Sequence, residues 1–112
     1  MAHLGLTPQS LSQMGGYRVQ GKNLASFKKL LEDTLAVESA GAFSVLIEAI
    51  PEDVSAELYK HIKVPLYGIG AGKHVDGQLV ISHDMLGLFV GEVDTKFEKK
   101  YLNLSELSLI HI

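Results

Sequence analysis

The chain has 112 residues, 46% of them hydrophobic and 21% charged, with a formal net charge of −3. That composition fits one small globular domain and offers no basic surface for nucleic acid. Cysteine is absent, which excludes disulfides and thiolate metal sites, and no apolar run reaches the ~20 residues of a membrane-spanning helix.

Met1-Ala2-His3-Leu4-Gly5-Leu6 lacks a basic region followed by an apolar core, so no secretory signal is expected. Ala2 to Leu6 reads instead as the end of a strand carrying His3, stopped by Thr7-Pro8. Gln9 to Gly21 is a long connection containing Gly15, Gly16 and Gly21; structureless loops of that length in compact domains are usually functional or disordered, and Leu11, Tyr17 and Val19 suit one that packs over something.

Asn23 is placed to cap a helix running to about Ala40. Leu24, Phe27, Leu31 and Leu35 form its expected buried stripe, with Leu30 and Val37 beside it. Lys28 and Glu32 form the expected exposed pair, and Gly41 closes the helix.

Ala42 to Ile47 is nearly all apolar and ends on Glu48, as expected of a strand covered on both faces. Pro51 suits the first turn of the next helix, Glu52 and Asp53 its N-terminal end, and Lys60 and Lys63 its C-terminal end. Val54, Leu58 and Ile62 form its buried stripe. Val64 to Ile69 is the following strand, Gly70 to Gly77 a loop too short for a crossover helix, and Gln78 to Ile81 a last strand before Ser82-His83-Asp84. Phe97 to Tyr101 looks like the start of a helix, whereas Met85 to Phe89 fits no single element. Two apolar strands around a helix make a βαβ unit, so the fold class is α/β with parallel strands.

Chemistry in such folds gathers at the carboxyl ends of the strands. Glu48 sits at one such end. Partial desolvation there would raise its pKa toward a range useful to a general base; the plainer reading is an exposed strand-end carboxylate. His3 sits at another strand end, where a hydrogen-bonded structural histidine is the plainer reading.

Gly68-Ile69-Gly70-Ala71-Gly72 follows a strand but carries Lys73 where a dinucleotide fingerprint needs its third glycine. It reads as a tight turn that approaches something closely. His83 and Asp84, if on a strand, point to opposite faces, and Asp76 suits a turn cap. His61, His74 and His83 show no zinc spacing, and the residues alone give no metal site.

Five motifs recur together: His3-Leu4-Gly5-Leu6-Thr7-Pro8-Gln9-Ser10, Gly15 to Lys22, Leu46-Ile47-Glu48-Ala49-Ile50-Pro51, Gly68 to Gly72 with Asp76-Gly77-Gln78, and His83-Asp84-Met85-Leu86-Gly87. In order and spacing they closely resemble ketopantoate hydroxymethyltransferase. The resemblance implies a (β/α)₈ barrel that transfers a hydroxymethyl group from methylenetetrahydrofolate to 3-methyl-2-oxobutanoate, giving 2-dehydropantoate in pantothenate biosynthesis. It implies Mg²⁺ and a cytoplasmic homo-oligomer, commonly a decamer. It places the family's proton acceptor on Glu48 and a substrate-binding histidine on His3, with the Gly15–Gly21 loop and the Gly70–Gly77 turn bordering the cleft.

Such a barrel needs about 250 residues. The family's magnesium-ligating acids and its substrate-binding serine and lysine lie upstream of the His3 motif and have no counterpart here. The expectation is a C-terminal half, roughly strands five to eight over residues 1–106, with Met1 an internal methionine and an inactive isolated chain. Leu107-Ser108-Leu109-Ile110-His111-Ile112 resembles the translated end of a sequencing-library transposase adapter, and is expected to be non-native. Two alternatives stay open: a self-associating α/β half-barrel that binds without catalysis, and an enolising barrel acting on another oxoacid.

Overall fold

A computed structural model of the chain describes residues 1–7, 21, 23–88 and 99–109. The elements run β1 (Ala2–Gly5), α1 (Leu24–Ser39), β2 (Val45–Glu48), α2 (Glu52–Tyr59), β3 (Leu66–Ile69), β4 (Gly77–Gln78), α3 (Ser82–Leu86) and α4 (Leu104–Leu109). They fall into two units, Met1–Gln78 and Leu79–Ile112.

The first unit is a four-stranded sheet in the order β1-β2-β3-β4, parallel throughout. The expected α/β class with parallel strands is what forms. α1 begins as its cap residue dictates. The Asn23 side chain accepts the Ser26 N–H at 2.8 Å, and the Ser26 hydroxyl oxygen accepts the Asn23 N–H at 3.2 Å, a reciprocal box that satisfies two orphan donors. Gly41, at φ 94°, ends the turn.

The buried face of α1 keeps part of the expected stripe, with Phe27, Leu31 and Val37 packed against the core, but is rotated at its edges. Leu24 is 69% exposed and Leu35 38%, whereas Leu30 and Thr34 are buried. A threonine can occupy that face because its hydroxyl donates to the Leu30 carbonyl at 2.6 Å, leaving no polar atom unsatisfied. The same rotation makes Lys29 and Asp33 the exposed ion pair, at 3.0 Å, instead of Lys28 and Glu32.

β2 begins only at Val45, whose N–H donates to the Pro65 carbonyl at 2.9 Å. Phe43 lies before the strand and is 74% exposed, so the expected continuous burial of Phe43 to Ile47 does not hold. Val45, Ile47 and Leu66 form the core with Leu30, Ile50, Leu58 and Ala71. Val54 and Ile62 pack against it, as the α2 stripe predicts. Alternation puts these strand residues on the helix-covered face. His3, Leu46 and Tyr67 are register partners and stand with Glu48 on the other face.

Asp76 ties the sheet's far side together. Its carboxylate accepts the Leu66 N–H and the Tyr59 hydroxyl, each at 2.8 Å. β4 is just Gly77–Gln78. The apolar run Leu79 to Ile81 is exposed and does not continue the strand, because the chain turns there into α3.

In the second unit, Gly87 ends α3 in the left-handed conformation, and the Leu88 N–H returns to the His83 carbonyl at 2.8 Å. His83 and Asp84 therefore lie on a helical turn instead of a strand end. Of the helix start expected over Phe97 to Tyr101, residues 97 and 98 lie outside the described residues and Lys99 to Tyr101 are not helical; a helix starts at Leu104. No described helix is long and apolar enough to cross a membrane.

Candidate active site

β1 and β2 pair so that His3 faces Leu46 and Gly5 faces Glu48. His3 and Glu48 are thus diagonal neighbours on one face, within reach of long side chains. His3 Nε2 lies 3.0 Å from Glu48 Oε2. An ionised carboxylate only accepts, so the imidazole supplies the proton of that bond. The side chains are 30% and 15% exposed, so both are largely shielded from water.

Burial is the largest influence on Glu48 and pushes its carboxyl above the usual carboxylate range; the charge and hydrogen bond of His3 pull the other way. Desolvation outweighs them: among the described residues one donor, His3, reaches the carboxylate, while the strand end removes it from much of the solvent. A carboxyl so placed is a better proton acceptor near neutral pH than a solvated one.

The remaining candidates lie elsewhere. Gly70 and Gly72 adopt φ 60° and 75°, and a Cβ on Gly72 would come within 2.6 Å of the Glu52 side chain. What the glycine turn approaches closely is the first turn of α2. The buried Ser55 hydroxyl holds it there, lying between the carbonyls of Pro51, at 2.9 Å, and Ala71. No sequence motif pointed to Ser55; a small polar residue one turn into a helix was the only signal.

His61 bonds Glu57 at 3.2 Å and His74 lies 3.4 Å from Glu52, both on the surface. His83 and Asp84 belong to the second unit. Of the Gly15–Gly21 loop only Gly21 is described. It lines a cleft of about 320 Å³ with His3, Gly5, Leu30 and Asp33. Glu48 does not line this cleft, which follows β1 and α1. Among the described residues no group of three or more His, Asp or Glu could hold a metal ion.

A family model described as ketopantoate hydroxymethyltransferase matches residues 1–109. Among curated relatives named 3-methyl-2-oxobutanoate hydroxymethyltransferase, the Geobacillus sp. (strain WCH70) protein is 50% identical over 106 residues, covering 95% of this chain and 38% of that protein. The Citrifermentans bemidjiense protein is 49% identical over 107 residues, covering 96% and 40%. The Clostridium acetobutylicum protein is 46% identical over 106 residues, covering 95% and 38%. The chain thus spans about two fifths of the length of these relatives. With the match running through nearly every residue, the chain belongs to the ketopantoate hydroxymethyltransferase family.

Proposed function

We propose that this chain is the C-terminal half of an enzyme that transfers a hydroxymethyl group from methylenetetrahydrofolate to 3-methyl-2-oxobutanoate, giving 2-dehydropantoate. Its sheet supplies about strands five to eight of a (β/α)₈ barrel, and the face bearing His3 and Glu48 is turned to the lumen. The whole enzyme is a cytoplasmic homo-oligomer. One observation carries the reading most: a partly desolvated carboxylate, hydrogen-bonded to a histidine at 3.0 Å, at the carboxyl end of a parallel strand.

Glu48 takes the proton from C3 of the oxoacid. The electron pair of the broken C–H bond forms the new carbon–carbon bond to the one-carbon unit of the folate, and water supplies the hydroxyl as tetrahydrofolate leaves. His3 orients Glu48 and donates a hydrogen bond to the substrate when that proton is free. Magnesium would be held by residues outside this chain, so this chain's share is proton transfer and orientation.

The test is a completed enzyme, in which this chain replaces the matching residues of the Geobacillus relative. Glu48→Gln should suppress exchange of the substrate's C3 proton with solvent while leaving oxoacid binding intact. Unchanged exchange would remove Glu48 from the role of base. The free outer edge of β1, paired only with β2 among the described residues, favours one second reading, a self-associating binding module. A stable isolated dimer with no activity in the completed enzyme would establish it.

A further inference from the structure

Glu48 is held through its backbone as well as through His3. The Leu6 N–H donates to the Glu48 carbonyl at 2.9 Å, and the Ala49 N–H donates to the Ile69 carbonyl at 3.0 Å. The single peptide that follows Glu48 is therefore tied to both neighbouring strands, its carbonyl to the end of β1 and its N–H to the end of β3.

Each of the first three strands leaves the sheet through a left-handed residue: Gly5 at φ 85°, Ala49 at 51° and Gly70 at 60°. Two are glycine, which adopts that conformation without steric penalty. The middle one, directly after Glu48, is alanine, and among the described residues it is the one non-glycine with positive φ. Its methyl group is buried, with 3% of the residue exposed. Left-handed backbone in a residue bearing a Cβ persists where its surroundings over-determine it, and such residues cluster at functional sites.

Gly5 closes the other side. A Cβ there would overlap the Glu48 carbonyl oxygen and come within 2.9 Å of Ile50 Cδ1. β1 can approach the Glu48 peptide only because this residue has no side chain.

We propose that Gly5 and Ala49 are positioning residues that clamp the Glu48 peptide and so fix the direction of its carboxylate toward His3. The proposal rests on the reading of Glu48 as base. Alanine at position 49 does not favour this conformation, so the bonds to Leu6 and Ile69 impose it; glycine would relieve the strain and open other backbone angles to the Glu48 peptide. The clamp therefore serves orientation more than folding.

Ala49→Gly in the completed enzyme relieves the strained φ and loosens the clamp, so its thermal midpoint should stay near the parent's. Its kcat should fall about tenfold with KM within roughly twofold, since a small misplacement of a reacting group costs up to about a hundredfold. The acid limb of the exchange rate should move toward lower pH, as a freer carboxylate regains water. Parental kcat and pH profile, or a kcat loss that tracks a loss of thermal stability, would overturn the proposal. Gly5→Ala should lose more; if it does not fold, Ala49→Gly alone decides. A separate readout keeps the two ideas apart. If Glu48→Gln retains proton exchange, the base reading fails, and the clamp is judged by the ¹³C titration of the Glu48 carboxyl in Ala49→Gly. A downward shift supports the clamp; an unchanged titration refutes it.

Discussion

The two faces of the parallel sheet are built from alternate residues of the same short strands, yet they do different work. One face, with Val45, Ile47 and Leu66, is sealed by Leu30 and Leu58 from the helices. The other carries His3 and Glu48, partly wet and hydrogen-bonded to each other. Burial on the first face is favourable because the side chains are apolar. On the second face, burial of Glu48 works against its charge and raises its pKa. A group whose desolvation is unfavourable, kept at a strand end, is the kind of group that makes a candidate functional site.

The sharpest way to break this contrast is Glu48→Gln in the completed enzyme. General-base catalysis contributes about 10²–10⁴-fold, so C3 proton exchange should fall by that order. The sign for stability is opposite. Because burial holds the folded-state pKa above that of an ordinary carboxyl, the folded chain binds the proton more tightly than the unfolded one. The stability this gives is present at low pH and lost as pH rises through the raised pKa. At neutral pH Glu48→Gln should therefore unfold no more easily than the parent in urea. A clear loss of stability would make Glu48 structural.

Leu58→Ala probes the sealed face. Leu58 has no exposed surface, and a cavity at such a site costs about 2–5 kcal/mol. Urea unfolding should show that loss, while proton exchange per folded enzyme stays near parental. His3→Ala should act on the pH profile. Removing the partner that lowers the Glu48 pKa moves the acid limb of exchange to higher pH; an unmoved limb would deny the coupling. Asp76→Asn, at the exposed edge of the covered face, should have the smallest effect. Asp76 is held below its usual range by the Leu66 N–H and the Tyr59 hydroxyl, so its contribution is present above the unfolded pKa and fades as pH falls through the lower folded one. The variant should lose that acid-side dependence and little else.

What could be read from the sequence was local. Asn23 announced its capping box, and the βαβ pattern announced parallel pairing. His3 and Glu48 stood out by motif, and the register brings them within hydrogen-bond distance. The phase of α1 was not legible, because leucines at 24, 30, 31 and 35 fit two stripes, and the buried Thr34 is satisfied only by a bond invisible to hydropathy. The run Leu79 to Ile81 has strand composition but finds no strand pairing. The left-handed Ala49 carries no sequence signal, since alanine ordinarily avoids that region. It follows from being pinned between two neighbours, which is a tertiary fact.

The strand order has a consequence for assembly. Because spatial order equals chain order, each pairing closes one loop. The loops enclosed by His3–Leu46, Leu46–Tyr67 and Tyr67–Gly77 shorten by about half each time, and each halving lowers the entropy of closure by about 0.6 kcal/mol. Nucleation is thus expected at the β3–β4 end, although a ribosome delivers β1 first. The His3–Glu48 contact, 45 residues apart in sequence, spans the longest of these loops. The nascent sheet completes its chemistry last, and native-state hydrogen exchange should find the β1–β2 amides opening before those of β2–β3.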